Sequence, residues 1–216
     1  MKLPVTIISV VLLILVTSFY TNKGKGEYMK NAIIIHGYNN KAEYLDSTRP
    51  SPSNDHWIPW LQKQLILKGI ETQTPEMPGF HEPNYEKWKE MLERFELNED
   101  TILIGHSCGG GFLVRWLSEN KQKVGKVVLV APWLDPEKNI DPEFFNFEID
   151  SDIASRTSQL YILYSTDDDP QIIQSINILK KKLSGATFKE FTNKGHFVLS
   201  SLKSEKFPEL LELLSQ

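Results

Sequence analysis

The sequence has one cysteine, Cys108, in 216 residues. That excludes an internal disulfide and any metal site built from several thiolates. It has no excess of cationic residues either. With 24 Lys and Arg against 28 Asp and Glu, the formal charge is -4, which supplies no basic face for a polyanion. Nucleic acid is therefore not an expected partner. No repeat or low-complexity tract stands out. The length suits one α/β domain with a sizeable core and is too short for two comfortable ones.

Long apolar runs are missing after the first 28 residues. Residues 3–20 are almost wholly apolar and uncharged, at the short end of a membrane span. The segment lacks a convincing small-residue cleavage site, and Lys2 on one side with Lys23 and Lys25 on the other orients it poorly. The expectation is a single N-terminal anchor over residues 1–28 followed by a catalytic domain over 29–216, with membrane attachment through that anchor. Two competing readings stay open: a cleaved signal peptide, and a true start at Met29. Lys25-Gly26-Glu27-Tyr28-Met29 is what a purine-rich ribosome-binding tract would give if translated, and a start there implies a cytoplasmic protein.

What the sequence does have centres on residues 101–115, TILIGHSCGGGFLVR. Residues 101–104 form a β-branched apolar run suited to a buried parallel strand. Gly105-His106-Ser107-Cys108-Gly109 follows, and Phe112, Leu113, Trp116 and Leu117 then recur at helical spacing. Strand, G-x-S-x-G, helix is the setting of a nucleophile elbow. Glycine at 105 and 109 removes the Cβ atoms that would collide in so tight a turn. Ser107 would then stand exposed above the sheet edge.

The rest alternates strands with helices. Strands are expected at Asn31–Ile35, 70–74, 124–131, 160–164 and 187–191. Helices are expected from residue 57 to a stop at Gly69, around Tyr85 to Phe95, around Ile172 to Leu179, and around Phe207 to Leu214. Residues 41–55 read as a loop beside the site, and 134–160 as short helices and loop, too short for a separate cap domain. This alternation predicts a doubly wound, mostly parallel sheet flanked by helices.

A serine hydroxyl needs a base, and the base needs an orienting acid. Open parallel sheets collect function at the carboxyl ends of their strands. Ser107, the run Asp167-Asp168-Asp169 and His196 all follow predicted strands, and His196 is the only histidine after Ser107. An aspartate before Pro170 is also an ordinary helix start. The backbone N–H groups of Cys108 and Tyr38, with Asn39 as an alternative to Tyr38, are expected to form an oxyanion hole. Cys108 itself reads as a small packed side chain.

From residue 29 onward the chain resembles the small serine hydrolases of the retinoblastoma-binding-protein and YdeN type, in the α/β-hydrolase superfamily. The resemblance rests on His36-Gly37, Trp57-Ile58-Pro59-Trp60-Leu61, GHSCGG at 105–110, residues 128–132, Ser165-Thr166-Asp167-Asp168-Asp169-Pro170 and Gly195-His196-Phe197. It implies a cap-less domain with a triad of Ser107, an aspartate of the run, and His196. The tract here has one aspartate more than the family pattern. Asp169-Pro170 with Ile172 and Ile173 looks like the stretch after the family's acid, so Asp169 is the expected acid, with Asp168 as the alternative.

The expected activity is hydrolysis of a small carboxylic ester or an amide, with no metal or organic cofactor. Tyr38, Trp57, Trp60, Trp133 and Phe197 are candidates for an apolar pocket. Two other uses of the same fold stay open: an inactive interaction module, and an acyltransferase with the same triad.

Overall fold

The computed structural model describes residues 30–215 of the chain. Its strands are β1 (Asn31–Ile35), β2 (Glu71–Gln73), β3 (Ile102–His106), β4 (Val124–Val130), β5 (Thr157–Ser165) and β6 (Thr187–Phe191). They form one sheet in the order β2-β1-β3-β4-β5-β6 with every neighbouring pair parallel. β3 is buried along its whole length, and β1 is buried from Ala32 to its end. This is why both read as continuous apolar runs rather than alternating ones.

Strand order reverses at one place. From β1 the chain steps outward to β2, then crosses back to pair β3 on the other side of β1. The carboxyl ends of β1 and β3 therefore diverge into separate connections and leave a crevice between them. His36-Gly37-Tyr38 leaves one of these ends and Ser107 leaves the other.

Helices flank the sheet. They are α1 (Lys41–Leu45), α2 (Ile58–Leu67), α3 (Tyr85–Leu92), α4 (Cys108–Asn120), α5 (Pro170–Lys182), α6 (Leu199–Leu202) and α7 (Pro208–Ser215). In α5 the buried residues Ile172, Ser175, Ile176 and Leu179 fall at positions i, i+3, i+4 and i+7, the stripe by which a helix seats on a sheet. Gly69 ends α2 with φ 78, a left-handed conformation that glycine adopts without a Cβ penalty. Trp57, Trp88, Trp116, Phe112 and Phe207 are fully buried.

Residues 41–55 are not a plain loop. They contain α1, which buries none of its residues and so has no apolar stripe to announce it. A capping box holds α1 instead: Asn40 accepts from Glu43 N–H, and Glu43 reaches back to Asn40 N–H. β5 begins at Thr157, ahead of the apolar run, because Thr157 and Gln159 pair with Val124 and Lys126 on β4. Between β4 and β5 lie only two 3-10 turns, Pro142–Phe145 and Ile153–Arg156.

The expected N-terminal membrane anchor is not sustained. Among the described residues no helix is long and apolar enough to cross a membrane. The segment 1–28 on which that expectation rested, and the alternative start at Met29, lie outside the described residues.

Candidate active site

β3 ends at His106, and α4 begins at Cys108. Ser107 is the whole turn. Its backbone is held at φ 55, ψ -122, a conformation that costs a non-glycine residue about 1–3 kcal/mol and persists only where the surroundings enforce it. Three hydrogen bonds do so. Ser107 N–H donates to Val130 O (2.9 Å), and its carbonyl accepts from Gly111 N–H (3.1 Å) and Trp133 N–H (3.0 Å). The flanking glycines are required by contact. A Cβ on Gly105 would lie 2.7 Å from Gly109 O, and one on Gly109 would lie 2.4 Å from His36 O.

The strained turn lifts the Ser107 hydroxyl toward the loop after β6. There His196 Nε2 lies 2.9 Å from Ser107 Oγ. On the other side of the ring, Nδ1 lies 3.0 and 3.1 Å from the two carboxylate oxygens of Asp168. A carboxylate only accepts, so Nδ1 carries the proton and Nε2 is left free to accept from the serine. The Asp168 side chain is 1% exposed, shielded from water where it faces the imidazole.

The expectation that Asp169 would face His196 is off by one residue, and each of the three aspartates has a separate task. Asp167 accepts from Ser165 Oγ and from Gly195 N–H, tying the end of β5 to the histidine loop. The Ser165 hydrogen bond holds the Asp167 carboxyl below its ordinary pKa. Asp168 reaches the imidazole. Asp169 turns away, and its carboxylate accepts from Gln171 N–H (2.8 Å) as the N-cap of α5.

Two further histidines frame the site. His106 is buried, and its Nε2 donates to the carbonyl of His196 (2.9 Å), bracing the loop that carries His196. His36 is equally buried. Its Nδ1 donates to Gly37 O (2.8 Å), and its Nε2 accepts from Met77 N–H (2.9 Å). Both imidazoles thus use one nitrogen as a donor, and that of His36 is fixed as the neutral Nδ1–H form. Burial pushes His36 below its ordinary pKa of 6.5 and His106 well below it.

The sign of the linkage follows. The unfolded chain takes up protons near pH 6.5, whereas these folded imidazoles resist them. The stability they contribute is complete above about pH 6.5 and is lost as pH falls below it. Urea midpoints should hold steady from pH 8 to 7 and drop between pH 6.5 and 5. A midpoint unchanged down to pH 5 would mean that the two rings protonate as easily folded as unfolded.

Burial pushes the Cys108 thiol well above its ordinary range, so it stays neutral and packed, in keeping with a small core side chain. The N–H groups of Tyr38 and Cys108 have no backbone partner among the described residues. That of Cys108 belongs to the first turn of α4, whose donors have no acceptor within the helix. Among the described residues, no three His, Cys, Asp or Glu side chains are grouped to hold a metal ion.

Of the five aromatic pocket candidates, Tyr38 and Trp133 line a cleft of about 380 Å³ that opens beside Ser107. Trp57 and Phe197 lie in the core, and Trp60 packs partly buried against it. The sequence offered no pointer to the bracing roles of His106 and Asp167, because their partners lie 90 and 28 residues away.

A model of the family described as serine hydrolase matches residues 32–216. The chain is 27% identical over 188 residues to the inferred hydrolase YdeN of Bacillus subtilis (strain 168), covering 84% of this chain and 90% of that one. The crystal structure of the B. subtilis ydeN gene product matches with a TM-score of 0.72 at 26% identity, over 86% of this chain and 97% of that one. Est1E from Butyrivibrio proteoclasticus shares the fold at a TM-score of 0.58 and 16% identity, over 90% and 92%.

Proposed function

This chain belongs to the serine hydrolase family, and we propose that it cleaves a small carboxylic ester through an acyl intermediate on Ser107, with amides as the next class of substrate. Its parallel sheet and flanking helices are those of an α/β-hydrolase. One observation carries the reading: an unbroken line of hydrogen bonds from Ser107 Oγ through the His196 ring to Asp168.

In this reading His196 Nε2 takes the serine proton as Oγ attacks the ester carbonyl. Asp168 holds the ring's tautomer and stabilises the imidazolium that forms. The new C–O bond places a negative charge on the former carbonyl oxygen, which the N–H groups of Tyr38 and Cys108 receive. Collapse expels the alcohol, protonated by His196. Water, deprotonated by the same ring, then attacks the acyl-serine; the C–Oγ bond breaks, His196 returns the proton to Ser107 Oγ, and the carboxylic acid leaves. An inactive interaction module would have no need of a base connected in this way, which favours catalysis over that alternative.

His36 enters as a positioning residue. The Gly37 carbonyl and the Tyr38 N–H share one planar trans peptide and point in opposite directions. By holding Gly37 O, His36 Nδ1 turns Tyr38 N–H away from the imidazole. His36→Phe should lower kcat by about 100-fold, the scale of a lost oxyanion donor, with KM changed much less. His36→Gln, which can donate and accept in the same places, should recover part of the loss. Equal loss in both variants would leave His36 with only a packing role.

The test of the reaction itself is turnover of p-nitrophenyl acetate and of the matching anilide. Ester hydrolysis with an initial burst of p-nitrophenol is expected. Lack of turnover on a panel of esters and amides would remove the proposal. Product analysis with added alcohol separates hydrolysis from acyl transfer.

A further inference from the structure

Two cavities meet at Ser107 and His196, and they differ in chemistry. One, of about 300 Å³, runs between the β1 loop and the residues before α2, and its wall carries Arg49, Asp55 and His56. The other, of about 380 Å³, lies over the ends of β4 and β5 and is walled mainly by Tyr38, Trp133, Ile140 and Ile172, with Asp169 also on its lining. An acyl group stays bound through both half-reactions, whereas the alcohol leaves and water takes its place. The apolar side suits the group that must be retained, and the polar side suits the exchange of alcohol for water.

The apolar wall is not left to packing alone. Gln171, beside the cap of α5, spends its amide on the loop after β4. Its Oε1 accepts from Trp133 Nε1 (3.1 Å) and Asn139 Nδ2 (2.9 Å), and its Nε2 donates to Glu137 Oε2 (3.1 Å). Indole N–H is a donor only, so the orientation of the amide is settled by its partners. Trp133 is thus held twice: its backbone N–H on the Ser107 carbonyl and its indole on Gln171. The ring also meets Tyr38 at 6.1 Å across the cleft.

We propose that the cleft between Trp133, Ile140 and Ile172 is the acyl subsite, taking an apolar acyl group longer than acetyl, and that Gln171 sets the acyl length it prefers by pinning the Trp133 indole. This rests on the acyl-Ser107 reading above and adds the substrate class to it. Gln171 touches no reacting atom and acts through Trp133 as a positioning residue. With the pin removed, the indole can turn, and the wall no longer grips one chain length over another.

The experiment measures kcat/KM for p-nitrophenyl acetate, butyrate, hexanoate and octanoate with the full chain, and for ethyl, butyl and hexyl acetates as the alcohol series. The readout is the ratio between chain lengths, which does not depend on how much of a preparation is folded. The wild type should favour butyrate or hexanoate over acetate by about 10-fold, the lower end of what added methylenes give in an apolar pocket. It should discriminate little among the alcohols. Gln171→Ala should cut the acyl ratio by about five- to 10-fold.

Trp133→Phe, which removes the indole N–H together with its five-membered ring and so also reshapes the wall, should cut the acyl ratio at least as much. In the double variant Gln171→Ala should add nothing to the Trp133→Phe ratio, since no indole N–H is left for Gln171 to hold. Selectivity that resides in the alcohol series, or an acyl ratio untouched by Gln171→Ala, would overturn the subsite assignment while leaving Ser107 catalysis standing. A wild type that turns over none of these esters would remove both.

Discussion

Ser107→Ala should lower kcat on p-nitrophenyl esters by about six orders of magnitude, the loss measured for a serine nucleophile in another triad enzyme. The size of the effect follows from how the site is built. Among the described residues, Ser107 is the hydroxyl held 2.9 Å from His196 Nε2. The adjacent Cys108 is buried and neutral, so it cannot act in its place. Residual turnover above water, of about 10³–10⁴-fold, should survive from binding and oxyanion donors alone. Alanine fits the same backbone space, so the melting temperature should not fall. Turnover within 10-fold of wild type would place the nucleophile elsewhere.

Asp168→Asn should be the next most damaging change, at about four orders of magnitude in kcat. An asparagine amide can donate to Nδ1, which favours the tautomer with the proton on Nε2. That nitrogen then donates toward Ser107 instead of accepting from it. Asp169→Asn should be nearly silent, because asparagine caps a helix about as well as aspartate and the Gln171 N–H it holds lies outside the reaction. Asp167→Asn should fall between the two by loosening the loop that Asp167 ties at Gly195. The three kcat values on one ester decide the register. A dead Asp169→Asn with an active Asp168→Asn would reverse the assignment drawn from the geometry.

That register was the part of the site least legible in the sequence. Pro170 does confine Asp169 to extended backbone, at φ -52 and ψ 140. Extended backbone before a helix is also what an N-cap needs, and capping is where the Asp169 side chain goes. Counting from the end of β5 favours a residue earlier than Asp169, and Asp168 is the one that meets the imidazole. The serine, by contrast, was readable because a buried strand, two obligatory glycines and a helix surround it within a few residues. α1 was missed because it buries nothing, although Asn40 and Glu43 at cap spacing were there to be read. The Gln171 clamp and the His106 brace join residues 38 and 90 positions apart. Only the fold brings such pairs together.

The most direct test of the central claim is mass spectrometry of the full chain after treatment with a fluorophosphonate. Such a probe phosphonylates a serine only where a base and oxyanion donors activate it. One adduct per chain is expected, mapping to Ser107. It should be absent in Ser107→Ala and strongly slowed in a variant that replaces His196 with alanine. No adduct on the folded wild type, or an adduct on another residue that survives Ser107→Ala, would contradict the account.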